Sequence, residues 1–418
     1  MEIKTYLPYI KPLFLGLCFF LLLCGYQTTQ NFQSGINKND GYISIALVYG
    51  FCGIGQFVSP ILVDFLTPKF SLFFGGICYV FYIATNVYLI RSLYFIASGV
   101  CGFGSSLLWA ASSTLLSGYE QKCSHPSYIY TLFYVPVYFN FLGNIIPMIF
   151  SPSTPAILFM VLTCVTALAV FLYLFSFNSP PVPMENMKEL LLASLKCFSN
   201  WRLVLLFPLA LLFGFSRSFY YTSMPVLAPL NVTSYIYISM GITMTLSTFC
   251  WGFFNSKFTE RITLFISVFA ETLAVILGFI INEVYLHNTT NVPQNDIGLD
   301  VCVCVLGGIA GIADSGLESI TIALLNKIWP KQVAPLSAWR VVYYSVMCIA
   351  LLYSSYITTR IVLIIFGASA IFGLITLIFI NIMYNKIYKE YALNNNEAIK
   401  HQEEKHEARA IINKEENN

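Results

Sequence analysis

Charge is what this sequence has least of. Of its 418 residues only 10% are Asp, Glu, Lys or Arg, against about 25% in an ordinary soluble domain. Histidine is scarcer still, with 4 residues confined to polar loops and the C-terminal tail, so no imidazole-based metal centre is expected. Net charge is only +2 and no Lys/Arg block is interleaved with aromatics, which removes nucleic acid as a partner. No nucleophile, base and orienting group recur at catalytic spacing, and no cofactor motif is present, so neither an enzyme nor a bound cofactor is expected. After the first apolar run, polar "GYQTTQNFQ" stands where a small-residue cleavage site would be, so that run reads as a retained helix rather than a signal peptide. Cysteine is not lacking, at 12 residues, but apart from Cys123 and Cys197 they fall singly in apolar segments, and they read as free, small hydrophobes. The pair Cys302 and Cys304 lacks the spacing and partners of a metal site.

What is abundant is apolar length. Hydrophobic residues make up 57% of the chain and mean hydropathy is +0.72, values of a polytopic membrane protein whose first partner is the lipid bilayer. A hydrocarbon core of about 30 Å needs about 20 apolar residues per helix. Stretches of that length run from Pro12 to Phe32, Gly41 to Val63, Phe70 to Ile90, Leu93 to Ser117, Ser127 to Phe150 and Pro155 to Phe177. After a linker richer in proline and charge they resume at Trp201 to Met224, Thr233 to Asn255, Arg261 to Asn282, Gly298 to Asn326, Val333 to Tyr356 and Ile361 to Tyr384. The expected fold is therefore all-α, with twelve transmembrane helices: a six-helix half over 1–177, a linker over 178–200, a second half over 201–384 and a polar tail over 385–418. With the N-terminus inside, 17 of the 22 Lys and Arg lie on the side of the termini, three (Lys38, Arg91 and Arg360) lie opposite, and Arg217 and Arg340 fall within spans. The positive-inside rule then makes both termini cytoplasmic and puts the N-x-T sequons at Asn231 and Asn288 outside as glycosylation candidates.

The two halves repeat each other. "GYQ" (Gly25 to Gln27) matches "GFS" (Gly214 to Ser216), "TPKFSLF" matches "TERITLF" from Thr259, and "GVCGFGSS" (Gly99 to Ser106) matches "GIADS" and the residues before it (Gly308 to Ser315), at offsets of 189, 192 and 209. An insertion around Asn288 accounts for the jump, and such duplicated halves place a binding site near the midplane between them. Six plus six helices with both termini inside resembles the major facilitator superfamily. The loop after the second span is similar to that family's G-x-x-x-D-R-x-G-R-K gating signature, with Asp64 at its acid and Lys69 at its last base, while Pro60, Phe65, Thr67 and Pro68 replace the first glycine, the arginine, the second glycine and the second arginine. "YQTTQNFQSGIN", "GFGSSLLW" and "GIADS" resemble the uncoordinated-93-like branch in particular, whose members include channel regulators, receptor escorts and orphan transporters. The resemblance implies either a transporter moving a small solute, with or without a coupling proton or ion, or a non-transporting regulator or escort of a membrane-protein client.

The informative residues are charges in the wrong place. Each costs on the order of 3 kcal/mol at the bilayer centre, so Arg217, Asp314, Glu318 and Arg340 are expected to be paired or wet. Helix rise puts Arg217 about 22 Å and Asp314 about 18 Å from the inner ends of their spans, and Glu318 and Arg340 about 12 and about 10 Å. Depth therefore pairs Arg217 with Asp314, as the candidate coupling pair, and Glu318 with Arg340, as a static closure. In the resembled fold these acids face a central cavity whose other wall is Gln27, Thr28, Gln30, Asn31 and Trp109. Three uses stay open for the acids: a structural charge network, proton or ion coupling, and direct solute contact. Glu271, in a helix expected at the periphery, either snorkels, pairs, or marks a helix interface. Gly99, Gly102 and Gly104 are expected to permit close packing, and Pro136, Asn140, Gly143, Asn144 and Pro147 to form a gate or a satisfied kink.

Overall fold

The computed structural model describes residues 3–120, 126–150, 154–176, 195–229, 231–257, 260–283, 297–329 and 334–381. Helices fill the expected positions, and there is no strand among the described residues. In the first half they are α1 (Tyr9–Asn37), α2 (Asn39–Leu66), α3 (Pro68–Ala84), α4 (Arg91–Tyr119), α5 (Leu132–Ile149) and α6 (Pro155–Tyr173). In the second they are α7 (Trp201–Thr222), α8 (Thr233–Lys257), α9 (Ile262–Glu283), α10 (Ile297–Ile322), α11 (Ala334–Ser354) and α12 (Thr359–Asn381).

Among the described residues ten of these are long and apolar enough to cross a membrane. α3 is shorter, with 17 residues and a rise of about 26 Å. The call on the sequon at Asn288, most of the linker and the whole tail lie outside the described residues.

Backbone helicity is continuous from Ile3 to Leu66, yet the chain reverses within it. Gln33 Nε2 reaches the carbonyl of Gly41 at 3.3 Å, whereas residues eight apart in a straight helix are about 12 Å apart. A Cβ at Gly41 would lie 2.4 Å from the Gln33 carbonyl oxygen, so only glycine allows this tight return from α1 to α2. In α5, helical geometry gives way to a 3-10 stretch over Phe139–Ile145. Pro147 supplies no N–H to the carbonyl one turn before it and crowds that carbonyl. The polar groups of the stretch are satisfied, with Asn31 Nδ2 donating to Asn144 Oδ1 at 3.0 Å.

Two apolar cores result. One joins Phe19, Phe133, Phe159 and Tyr173, the other Phe213, Phe219, Trp339 and Phe366. Large apolar side chains also stay exposed around the outside, among them Phe74, Ile96, Phe103, Phe265, Phe269 and Phe372, as a lipid solvent permits. The two halves meet through α2 against α11, where Gly50 faces Cys348 and Gly53 faces Tyr344, and through α5 against α8, where Thr245 Oγ1 donates to the Tyr138 carbonyl. The repeat pairs α2 with α8 and α5 with α11, so this is one interface made twice.

The same symmetry appears inside each half. A Cβ on Gly102 of α4 would lie 2.3 Å from the Val48 carbonyl oxygen of α2, and one on Gly311 of α10, its repeat mate, 2.1 Å from the Met240 carbonyl oxygen of α8. Four residues on, Ser106 meets Ser59 at 2.7 Å and Ser315 meets Ser247 at 2.6 Å. Duplicated sequence thus encodes duplicated close helix crossings. Gly102→Ala and Gly311→Ala should each lower stability by about 1–3 kcal/mol through overpacking. Gly367→Ala, whose nearest neighbour would be a valine methyl at 3.3 Å, should be close to neutral. Thermal unfolding of the purified variants in detergent checks the contrast, and equal midpoints for all three would remove the packing argument.

Candidate functional site

Arg217 lies on α7 with its guanidinium aimed at α10. Nε donates to Asp314 Oδ1 at 2.8 Å and Nη2 to Oδ2 at 2.9 Å, a bidentate pair. The same Nη2 donates to Glu318 Oε2 at 2.8 Å, and Nη1 donates to the Tyr343 hydroxyl of α11 at 3.1 Å. The face of the guanidinium rests 4.5 Å from the ring centroid of Phe213, one turn earlier on α7, a favourable cation-π distance. One cation therefore holds three helices and serves two carboxylates. This corrects the depth-based pairing of Glu318 with Arg340: among the described residues Arg340 forms no ion pair or hydrogen bond. Asp314 and Glu318 are four residues apart on one helix face, and a planar fork with donors on two edges reaches both.

Exposure separates the two acids. The Asp314 side chain is 3% exposed and that of Glu318 36% exposed, and Glu318 is one turn nearer the end of the bundle that carries the chain termini. Asp314 is thus sealed into the clamp, and Glu318 is the more exposed of the two acids.

The opposite end is shut. Ser34 Oγ donates to the Tyr221 carbonyl at 2.9 Å, the Tyr42 hydroxyl to the Thr222 carbonyl at 3.4 Å, and the Tyr221 hydroxyl to Gln27 Oε1 at 3.2 Å. Tyr49 of α2 stacks on Tyr221 and Tyr344 of the second half, with centroids 6.3 and 6.0 Å away. Of the wall expected from the first half, Gln27 takes part in this seam and Gln30 supports it, accepting from the Tyr49 hydroxyl at 3.2 Å. Thr28 and Asn31 do not line a cavity: both are buried, Thr28 against Gly143 and Asn31 bonded to Asn144 of α5. Trp109 is half-buried and packs on Phe19 at 5.2 Å. The resemblance assigns these residues to one wall, but the rotation of each helix, set by its packing, parts them.

Sequence reasoning missed Tyr343, Phe213 and the Tyr49–Tyr221–Tyr344 stack. Two signals were available: Phe213 precedes Arg217 by one helical turn, and Tyr343 is the repeat mate of Tyr134. Glu271 marks a helix interface, since it is fully buried on α9 and its Oε2 accepts from the Tyr220 hydroxyl of α7. In the loop between α2 and α3, Asp64 is exposed and, like Lys69, forms no ion pair or hydrogen bond among the described residues. Thr67, at the second glycine of the resembled signature, holds φ 67° and ψ 150°, a region open in practice only to glycine. Of the sequons, Asn231 is exposed just before α8, while its Thr233 is buried as the first residue of that helix.

Two outcomes follow. Arg217→Gln strands two carboxylates and should cost about 3–5 kcal/mol, whereas Arg340→Gln should stay within about 0.5 kcal/mol. Unfolding midpoints in detergent measure both, and equal losses would restore a pairing of Arg340 with Glu318. Thr67→Gly should raise stability by about 1–3 kcal/mol through release of backbone strain, read on the same assay. A lowered midpoint would mean that the threonine side chain contributes more than its backbone costs.

Comparison with known proteins agrees with this architecture. The family model described as ion channel regulatory protein UNC-93 matches residues 32–379. Protein unc-93 homolog A of Xenopus laevis is 23% identical over 376 residues, covering 74% of this chain and 79% of that protein. The homolog A of Danio rerio is 31% identical over 112 residues, 26% of this chain and 24% of that protein. Among solved structures, the nucleoside transporter NupG (D323A mutant) superposes with a TM-score of 0.67 at 12% identity, over 90% of this chain and 100% of that one. The D-xylose-proton symporter gives 0.67 at 13%, over 89% and 97%, and a POT family transporter in complex with 5-aminolevulinic acid gives 0.68 at 14%, over 91% and 96%. The fold is of the major facilitator type, and with most of its length matched by the family model the chain belongs to the UNC-93 family.

Proposed function

We propose that this protein is an alternating-access transporter of a small solute, coupled to a proton or cation through Arg217, Asp314 and Glu318. The observation that carries the reading is the sharing of one guanidinium by two carboxylates. If both acids are ionised the cluster holds one uncompensated negative charge away from bulk water, and such a charge is neutralised by a bound proton, a cation or a counter-charge. Glu318, the more exposed acid, is the group that exchanges with the open side. Asp314 keeps Arg217 oriented. A seam shut at one end with an acid facing the other is one limb of an alternating-access cycle. Both termini face the cytosol in this reading, on the strength of the Lys and Arg distribution, so the cluster opens to the cytoplasm.

The uncompensated charge makes a test possible without knowing the solute. Purified protein in liposomes under an imposed pH gradient should accumulate at least one member of a panel of labelled sugars, nucleosides, amino acids and organic acids, and Glu318→Gln should abolish the response to the gradient while the protein still folds. Gradient-driven uptake undiminished in Glu318→Gln would remove the coupling role, and no uptake of any panel member would count against transport.

A second reading draws on the loop between α2 and α3, where the gating signature has lost most of its residues and Asp64 and Lys69 form no ion pair among the described residues. In that reading the fold binds a membrane-protein client and does not cycle. Stoichiometric copurification of one membrane protein, together with inert liposomes, would favour it.

A further inference from the structure

Glu271 is a carboxylic acid without a counter-charge. It lies mid-span on α9 and is fully buried. Its Oε2 accepts from the Tyr220 hydroxyl of α7, while its Oε1 is buried with no hydrogen-bond partner, and it forms no ion pair among the described residues. Arg217 of α7 gives its donors to Asp314, Glu318 and Tyr343, and Ser216 of α7 gives its hydroxyl to the Phe213 carbonyl. Tyr237 of α8 donates to the Tyr220 carbonyl, and α12 presents the ring of Phe366 to Tyr220. From α10 the nearby charge is Asp314, a second acid. The first half holds the uncharged version of this arrangement. The offset of 192 pairs Glu271 with Tyr79, and that of 209 pairs Asp314 with Ser105. Tyr79 is buried and its hydroxyl donates to Ser105 Oγ at 2.8 Å, joining α3 to α4. Where the first half sets two bonded hydroxyls, the second sets two acids. Asp314 takes the guanidinium, and Glu271 is left with a tyrosine hydroxyl.

We propose that Glu271 is a second proton-binding site, held as the neutral acid, and that its proton latches α7 to α9. An ionised carboxylate with one hydroxyl partner, no cation and a neighbouring acid has a desolvation cost that nothing offsets. A neutral carboxyl forgoes only a single hydrogen bond. When the proton is lost, the acid's O–H bond breaks and the proton leaves to water. The carboxylate left behind requires water or a cation, and the contact between α7 and α9 has to open to admit either. Tyr220 follows Arg217 by three residues on α7, so the latch acts on the helix that carries the clamp. Neither the transport reading nor the protonation of Glu318 enters this inference.

Thermal unfolding of the full chain in detergent across a series of pH values, native beside Glu271→Gln, tests the proposal. Glutamine keeps the shape of the neutral acid and an acceptor for Tyr220. The folded native protein has to keep a proton that its unfolded chain sheds, so its stability relative to the variant falls as pH rises. The two midpoints should therefore coincide at the acidic end, and the variant should lead by several degrees at the alkaline end. A difference that stays constant across the range means a plain packing contact, and a lag of the variant that grows with pH means an ionised Glu271; either overturns the proposal. A reading on the native protein needs no variant to fold. With carbon-13-labelled glutamate, the infrared carbonyl absorbance of a neutral carboxyl should be present at neutral pH and should shift only slowly on transfer to heavy water. A proton on Glu318, whose side chain is 36% exposed, exchanges at once and is told apart by that speed. If no slowly exchanging neutral carboxyl is found at neutral pH, Glu271 is ionised and the latch does not exist.

Discussion

Placing ionised groups where water is scarce is the constraint on which the rest of this structure depends. Arg217 cannot shed its charge, so its surroundings have to answer it, and they do so from three helices. Asp314 supplies a bidentate partner, Glu318 a second carboxylate, Tyr343 a hydroxyl oxygen and Phe213 the face of a ring. Because these partners sit on α7, α10 and α11, one side chain sets the register of the helices that form the second half's share of the central interface. The same clamp leaves one guanidinium shared by two carboxyl groups.

The two halves answer the constraint differently although they descend from one pattern. In the first half several buried polar groups pair with neutral partners: Gln30 with Tyr26 and Tyr49, Gln33 with Tyr82, Ser44 with Ser98. The second uses full charges. Where the halves meet, the neutral network and the charged clamp join through aromatic rings, since Tyr343, bonded to Arg217, lies 4.4 Å from Tyr344, and Tyr344 stacks on Tyr49. The clamp is thereby in contact with the aromatic seam between the halves.

Family and fold speak to different levels of this protein. The UNC-93 family model carries the description of an ion channel regulator, whereas the structures that superpose on the chain are transporters sharing 12–14% of its residues. A fold at that distance hosts many activities, and function resides in particular side chains. The side chains in question here are a guanidinium shared by two carboxylates and the more exposed of those two acids.

The sequence by itself determined the class of fold, because apolar length, the placement of Lys and Arg, and a repeat written at nearly constant offsets are one-dimensional properties. Gly102 and Gly311 were legible as packing positions for the same reason: a missing side chain permits close approach whichever helix is approached. The pairing of Arg217 with Asp314 was legible from depth and opposite sign. What only the tertiary structure decided is direction around each helix. Rise per residue places Glu318 level with Arg340, and the resemblance puts Thr28 on the cavity wall, but azimuth turns Glu318 toward Arg217 and buries Thr28 against Gly143. Rotation about a helix axis is set by packing against neighbours distant in sequence, and no count along the chain contains it.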